Sequence, residues 1–471
     1  MISVDEALEV VLRVAQRLPP VTVPLDQALC KVLAQDVSAD EPLPPYPASV
    51  KDGYAVVASD GPGEYSVITE SRAGNDGIDV TITPGTVAYV TTGGPIPHGA
   101  DAVVQVEDTA PSENATSGTK QVRVLKQVAR GLDIRPVGCD IGKGDVVLKT
   151  GEHVGAAEVG LLATVGVTNV KVYPTPRIGV LSTGDELVEP DTKYLNRGQI
   201  RDSNRAMLLA AAKQQQCEVV DLGIAGDDEK EIEIAVDKAL SSGIDILLTS
   251  GGVSMGDRDF VKPLLKKRGK LHFDKVLMKP GKPITFVEII REKSEKGTMK
   301  KVLAFGLPGN PVSCIVGFYI FVVPAIRQLS GWAQPHLSRV QARLKHSIKA
   351  DTIRPEFHRA IVRWEDGTQN SGFVAESTGH QMSSRLSSMK SANVLLVIPP
   401  TGNLIPAGTS LVAVVISGSI CSTSTSCNSL YSNLVSVVAG QSIVNTENIS
   451  ESRVAILTVS DTVASGAGPD R

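Results

Sequence analysis

Five short segments concentrate the residues able to handle anions. Ser182-Thr183-Gly184-Asp185-Glu186 follows the run RIGVL, and Asp227-Asp228 follows VVDLGI. SGGVSMGDRD, Ser250 to Asp259, follows ILLT; Lys279-Pro280-Gly281-Lys282-Pro283 follows HFDKVL; Leu307-Pro308-Gly309-Asn310-Pro311-Val312-Ser313 follows VLAFG. Glycines at 251, 252, 256, 281 and 309 let backbone N–H groups approach a phosphate or another oxyanion. Lys279 and Lys282 supply full positive charge. Carboxylates at Glu186, Asp227 and Asp259 would repel a phosphate unless a divalent cation sat between them, and oxygen ligands with phosphate suggest Mg²⁺. Singly, an SGG or a PGN is usually only a turn, and Asp185 and Asp228 serve equally well as helix caps. Five polar segments at five strand ends are harder to dismiss together.

The elements that position them alternate. Between 176 and 330, apolar strand-like runs are each followed by a helical pattern: SNRAMLLAAAKQQQ with Ser203 as N-cap, a helix from about 228 to 242, a helix around DFVKPLLKK, and the apolar helix 311–329. A βαβα succession predicts a parallel sheet with helices on both faces, with ligands outside the carboxyl ends of its strands. All five segments should therefore converge on one rim, with helix amino ends near Ser203, Arg258 and Asn310 aimed at it.

Elsewhere the patterns differ. Residues 4–18 carry helical spacing closed by Pro19-Pro20, and a second short helix is expected from about Asp26 to Ala34. Short alternating runs from about 54 to 138 and from 335 to 417 predict two small β modules, the second a barrel or sandwich. Residues 151–172 add a helix and a strand. The Ser-, Thr- and Asn-rich stretch 418–450 reads as a linker. RVAILTVSDTV at 453–463 echoes RIGVLSTGDEL at 177–187, as the first strand of a second α/β domain that is cut short. Further polar turns are Asp52 in PASVKDGY, Thr92 in TTGGP, Asp140 after Gly138-Cys139, the cluster Arg354-Pro-Glu356-Phe-His358-Arg359, and Ser383-Ser384-Arg385. Cations with hydroxyls suit a tetrahedral oxyanion. His272 and His358 lack metal-ligand spacing and read as ordinary structural histidines.

With 471 residues, the chain has length for about three domains and a real core. Its 47 Lys+Arg against 51 Asp+Glu, net −4, argue against nucleic acid or anionic membrane as main partner. Six cysteines form no CxxC pair, so a reducing compartment is the simpler reading. The acidic, helical amino end is unlike a signal peptide. The longest apolar stretch, Ile315 to Ile326, is short for a bilayer and carries Pro324. A soluble cytosolic protein with no membrane span is expected.

PLPPYPASVKDGYAV, TTGGPIPHGADAVVQVED, STGDEL, GQIRDSNRAML, TSGGVSMGDRDFVKP, MKPGKPITF, FGLPGNPVSC and RPEFHRA resemble molybdenum insertases. These are the bacterial MoeA type, the gephyrin E domain and the E domain of the plant molybdenum-cofactor protein, to which VKDGYAV and the E-then-G order point. The match covers about 1–417. It implies an α/β plus β fold in an elongated multi-domain subunit. Residues 1–44 with 139–173 would form an extended discontinuous domain, 45–138 a small β module, 174–330 a doubly wound α/β molybdopterin-binding domain, and 331–417 a barrel-like domain. The linker 418–450 and a truncated G-domain start, 451–471, would follow. The implied activity is a molybdopterin molybdotransferase that places molybdate on adenylylated molybdopterin and releases AMP.

Carried over, Ser254, Asp227, Asp259, Glu186, Pro308 and Pro311 would hold the pterin phosphates and AMP. Asp259 and Asp227 would bind Mg²⁺ and serve phosphate-bond hydrolysis, with Glu186 and Lys279 beside them. Lys279, Lys282, Arg354 and Ser383 would form the molybdate pocket. Asp52, Thr92 and Asp140 match further functional positions. A homodimer with shared sites is implied, with the adenylyltransferase G domain of a full-length chain as substrate donor. Cytoskeletal or molybdoenzyme contacts remain open partner classes. The rivals are a scaffold of the gephyrin E-domain type and a generic Mg²⁺-dependent phosphoanhydride hydrolase.

Overall fold

The computed structural model describes residues 1–74, 80–112, 120–253, 259–291, 300–366 and 371–417. Ser254, the expected linker 418–450 and the expected G-domain start 451–471 lie outside them. The main body spans residues 1–362 and 373–417.

The first helix, Val4–Val14, begins with a capping box. The Glu6 N–H donates to the Ser3 hydroxyl at 3.2 Å, and the Ser3 N–H donates to the Glu6 carboxylate at 2.8 Å. Ala7, Leu8, Val11 and Val14 form its buried face. The expected second helix at 26–34 does not form. Only a 3₁₀ turn, Leu25–Gln27, appears; Cys30 adopts a left-handed backbone, and Val32–Leu33 pairs as a strand with Asn169–Tyr173. Strand Val21–Pro24 flanks the other edge of Asn169–Tyr173. Leu33, Val37, Leu148, Leu162, Val170 and Val172 thus share one small core. Propensity for helix loses here to a β-branched partner strand supplied from more than 130 residues away.

Between them lies a six-stranded sheet. Its spatial order is Ala102–Gln105, Gly53–Val56, Thr86–Val90, Gly63–Ser71, Gln121–Val124, Thr109–Pro111.

The α/β sheet is built from β1 (Arg177–Thr183), β2 (Glu218–Ala225), β3 (Ile246–Ser250), β4 (Lys270–Phe273), β5 (Thr285–Arg291) and β6 (Lys300–Leu307), in spatial order β2-β1-β3-β6-β5-β4. The first four in that order are parallel. The last two are not as the sequence suggested. β5 runs antiparallel to β6 and β4 antiparallel to β5. The run HFDKVL leaves the sheet at Phe273, and the unanticipated strand β5 comes after the Lys279 segment. β1 after Arg177 and the whole of β3 are buried, apolar up to their hydroxyl-bearing ends, the mark of strands covered on both faces. One core takes in Leu208 and Ala212 of helix Asn204–Gln214; another takes in Ile232 and Val236 of helix Glu229–Ser241 and Leu264 of helix Val261–Arg268.

Two capping expectations divide. Asp228 caps its helix, accepting from the N–H groups of Lys230 (2.9 Å) and Glu231 (3.0 Å). Ser203 makes no side-chain cap bond; Asp202 instead accepts from the Arg205 N–H at 3.1 Å. Pro324 does not end the apolar helix either. Pro311–Leu329 continues through a π-helical stretch, Phe318–Val322, that precedes it, and a widened turn removes the i−4 bond that proline cannot make. By length this helix could cross a membrane, but 83% of it is buried inside the protein. It is the spine of the largest core, with Phe318, Phe321 and Val322 fully covered.

The C-terminal module closes into a five-stranded barrel of Arg339–Leu344, Gly372–Ser377, Glu356–Glu365, Val394–Ile398 and Ser410–Val415.

Candidate functional site

The carboxyl ends of β1, β2, β3 and β6 meet around a cavity of about 340 Å³. Thr183, Gly184 and Glu186 border it after β1, Asp227 after β2, Gly251 and Gly252 after β3, and Pro308, Gly309 and Asn310 after β6. Asp259 joins them ahead of helix Val261–Arg268, and Pro283 is the contribution of the Lys279 segment. Parallel register makes this possible: Ser182 sits opposite Ser250 and Ser250 opposite Leu307, so neighbouring strands stop at one level.

The rim is braced by its own polar groups. The Gly251 N–H donates to the Leu307 carbonyl at 3.1 Å, and the Gly184 N–H to the Ala225 carbonyl at 3.1 Å. Buried Asn204 donates to Ser250 Oγ and to the Gly309 carbonyl, both at 2.7 Å. Asp185 lies in the turn after β1 and not at the start of a helix. Its Oδ1 accepts from the Asp227 N–H at 2.9 Å, and Asp227 Oδ2 lies 3.5 Å from the Asp185 N–H. Gly251 (φ +94°) must be glycine, because a Cβ there would stand 2.5 Å from the Thr183 carbonyl oxygen. Pro311 opens the apolar helix at its first turn, where a missing N–H costs nothing.

Lys279 does not face this cavity. The segment after β4 crosses to the barrel: the Lys279 N–H donates to the Pro355 carbonyl (3.0 Å), and the Phe357 N–H donates to the Lys279 carbonyl (2.8 Å). Its ammonium then meets Glu356 Oε2 at 2.8 Å and Asp351 Oδ2 at 3.6 Å. Asp351 also takes the Arg354 guanidinium at 3.7 Å, so it joins the two predicted oxyanion ligands. N–H groups of Arg354 and Ile353, joined by the two cations and opposed by burial, hold the Asp351 carboxyl down to about 2. Lys279, Glu356, His358 and Ser377 border a second cavity of about 370 Å³. The single converging rim expected from the sequence is thus two neighbouring basins, one acid-lined and one holding the lysine. Lys282 is exposed, with its backbone carbonyl accepting from the Val276 N–H. The Ser383 carbonyl accepts from the Val312 N–H at 3.0 Å, which sets the barrel's 378–390 segment against the amino end of the apolar helix.

Asp52 and Thr92 are brought together, the Thr92 N–H donating to Asp52 Oδ1 at 2.6 Å. Asp140 pairs with Arg135. None of the three borders either cavity. Reasoning from sequence misses Asp351, while His358, buried and bonded through both ring nitrogens, fits the structural histidine expected and also borders the second cavity. The usable signals are Asp351-x-x-Arg354, an Asx turn around a cation, and Glu356-x-His358, which puts both side chains on one face of a strand.

Residues 2–166 match the MoeA N-terminal region (domains I and II), 179–328 a probable molybdopterin binding domain, and 341–415 the MoeA C-terminal region (domain IV). The molybdopterin molybdenumtransferase of Haemophilus influenzae is 36% identical over 82% of this chain and 91% of its own length. The chain belongs to the molybdopterin molybdenumtransferase family. Within that family it is also similar to gephyrin of Dictyostelium discoideum, at 38% identity over 88% of this chain, but it spans only 62% of gephyrin's length. The MoeA protein of Pyrococcus horikoshii OT3 has the same fold at a TM-score of 0.71 and 28% identity, covering 88% of this chain and all of that one. The multi-domain architecture of sheets and barrel is therefore that of MoeA.

Proposed function

We propose that this molybdopterin molybdenumtransferase family member inserts molybdate into adenylylated molybdopterin and releases AMP. The observation that carries the reading is the pairing of an acid-lined rim, with Glu186, Asp227 and Asp259 around one cavity, and a second cavity bordered by Lys279, whose ammonium is tied to Arg354 through Asp351. Two anionic substrates need two such environments. The rim glycines would take the pterin phosphates and AMP on backbone N–H groups, with Pro308 and Pro311 shaping the wall. Lys279, Arg354, Lys282 and Ser383 would take molybdate. One close opposite-charge pair is worth about 4 kcal/mol at an effective dielectric near 20, enough to offset much of the repulsion between the two anions.

Magnesium fits the donor set as a shared ion. The rim offers carboxylate oxygens, yet among the described residues no three acidic, His or Cys side chains are arranged to hold a metal alone. Mg²⁺ keeps waters and substrate phosphates as ligands, so Asp227 and Asp259 would suffice. When bound it would polarise a phosphoryl oxygen. Around it, the chain's own groups orient the phosphates, keep Asp227 turned inward through Asp185, and hold the oxyanion against the barrel.

A doubly wound α/β domain, an elongated homodimer with shared sites to which Asp52, Thr92 and Asp140 contribute, a cytosolic site of action and supply of substrate by an adenylyltransferase domain belong to the same proposal. They are supported by the resemblance and by the gephyrin likeness. The test is to give the pure protein adenylylated molybdopterin, Mg²⁺ and molybdate and follow AMP. Molybdate-stimulated release with active cofactor formed is expected. AMP release indifferent to molybdate would favour a plain hydrolase, and none at all a scaffold.

A further inference from the structure

One wall of the barrel basin is a continuous polar line. Glu356 and His358 stand two apart on a strand and face the same side. Glu356 is 4% exposed. Its Oε2 meets Lys279 Nζ at 2.8 Å, and its Oε1 meets His358 Nδ1 at 2.9 Å. His358 Nε2 continues to Ser377 Oγ at 2.7 Å. Burial works to raise the Glu356 pKa, but contacts with His358 and Lys279 outweigh it, and the carboxyl stays below its ordinary range.

Resting on the reading of Lys279 as an oxyanion ligand, we propose that Glu356 and His358 are positioning residues that set both the aim of the Lys279 ammonium and how firmly it is held, so that molybdate uptake strengthens as His358 gains a proton. The heavy-atom geometry serves both protonation states. With His358 neutral, its Nδ1–H donates to Glu356 and its Nε2 accepts from the Ser377 hydroxyl. With His358 protonated, Nε2–H donates to Ser377 Oγ, and the hydroxyl turns to the Gly379 carbonyl, 3.4 Å away. Protonation brings a positive charge to the basin and gives Glu356 a second full cation to satisfy. The hold on Lys279 loosens, and an incoming dianion finds more charge to pair with.

Other charged groups stand around this line. Lys349 and His346 border the same cavity, Asp351 and Arg354 lie behind Lys279, and Arg359 acts on Glu356 from the opposite strand face. Of these only His346 is of a type that ordinarily changes charge between roughly pH 5 and 8, which makes it the control.

The experiment titrates molybdate alone, and separately adenylylated molybdopterin, into the full chain by calorimetry from about pH 8 to about pH 5.5. Wild-type protein is expected to bind molybdate roughly five- to tenfold more tightly at the acid end. His358→Gln flattens that slope, while His346→Gln keeps it. Ser377→Ala, which spares the His358–Glu356 contact, moves the slope to lower pH. Glu356→Gln binds molybdate more tightly but turns over more slowly, a split between affinity and rate that mere loosening of the fold does not produce. A slope that survives in His358→Gln, or that vanishes in His346→Gln, overturns the proposal. Failure of wild-type protein to bind molybdate at any pH, with pterin-nucleotide binding intact, overturns it too and leaves the pterin half of the function standing. Failure to bind either ligand overturns the functional reading itself.

Discussion

Asp227 and Asp259 border the same cavity as Glu186, and Asp227 is oriented by its reciprocal contact with Asp185. A carboxylate that shares an ion with a phosphate acts through its charge, so the isosteric amide should remove function without removing shape. Asp227→Asn and Asp259→Asn are expected to fold with unchanged circular dichroism and to release AMP at least about a hundredfold more slowly, since losing a charged contact at a reacting centre costs about 3 kcal/mol. Gly251 carries the opposite kind of constraint. Its φ of +94° and the 2.5 Å approach of the Thr183 carbonyl leave no room for a Cβ. Gly251→Ala should cost about 2–4 kcal/mol in chemical denaturation, and a loss below about 0.5 kcal/mol would show that the turn can open freely.

At the scale of an element, the segment from 378 to 388 hangs on one residue. Arg359 is fully buried, with its Nε on Ser388 Oγ at 3.2 Å, its Nη2 on the Met382 carbonyl at 3.2 Å, and its backbone N–H on Gln381 Oε1 at 2.7 Å. Its Nη1 has no hydrogen-bond partner, and burial pulls the guanidinium down to about 10. A buried cation of this kind contributes little to stability, and an apolar replacement of similar volume is often neutral. Arg359→Met should therefore leave the melting temperature within a few degrees of wild type. What it removes is the tie that sets Ser383 against Val312. Amide exchange should quicken in residues 378–388 and at Val312, while strands of the barrel keep their protection. Protection unchanged at Val312 would show that the segment is held by other means.

For the whole molecule, the relevant charges are carboxylates held below their ordinary range: Asp351 to about 2, and Glu356, Asp274, Glu288 and Asp221 in the same direction. A depressed carboxylate stabilises the fold above its unfolded pKa, near 4, and that contribution is lost as pH falls through the folded value. Stability should therefore be flat from pH 7 down to about 5 and drop steeply between about 4 and 2. Asp351 bonds to backbone N–H groups on its own turn and to Lys279 of the segment that crosses from the α/β sheet to the barrel. Asp351→Asn should cost about 1–2 kcal/mol at neutral pH and only a small part of that at about pH 2, where about half of the wild-type side chains are protonated. An equal penalty at both pH values would mean that shape rather than charge is at work.

The succession of apolar runs and polar strand ends, with glycines where backbone must come close, sufficed to place Glu186, Asp227, Asp259 and Pro308 on one rim. That much is local chemistry plus a rule of parallel sheets: strands in register stop at one level, and the loops leaving their carboxyl ends gather there. Helices with strong periodicity and a cap were legible for the same reason, as with Val4–Val14 and the helix after Asp228. The placement of Lys279 was not legible. Whether the segment after Phe273 turns to the rim or to the barrel depends on a backbone pairing with Pro355 and Phe357, some 75 residues onward. The same holds for Val32–Leu33, which becomes a strand because Asn169–Tyr173 offers it an edge. Each of these outcomes rests on hydrogen bonds whose two halves are distant in the chain. A sequence pattern states what each half can do, and only the folded chain decides which halves meet.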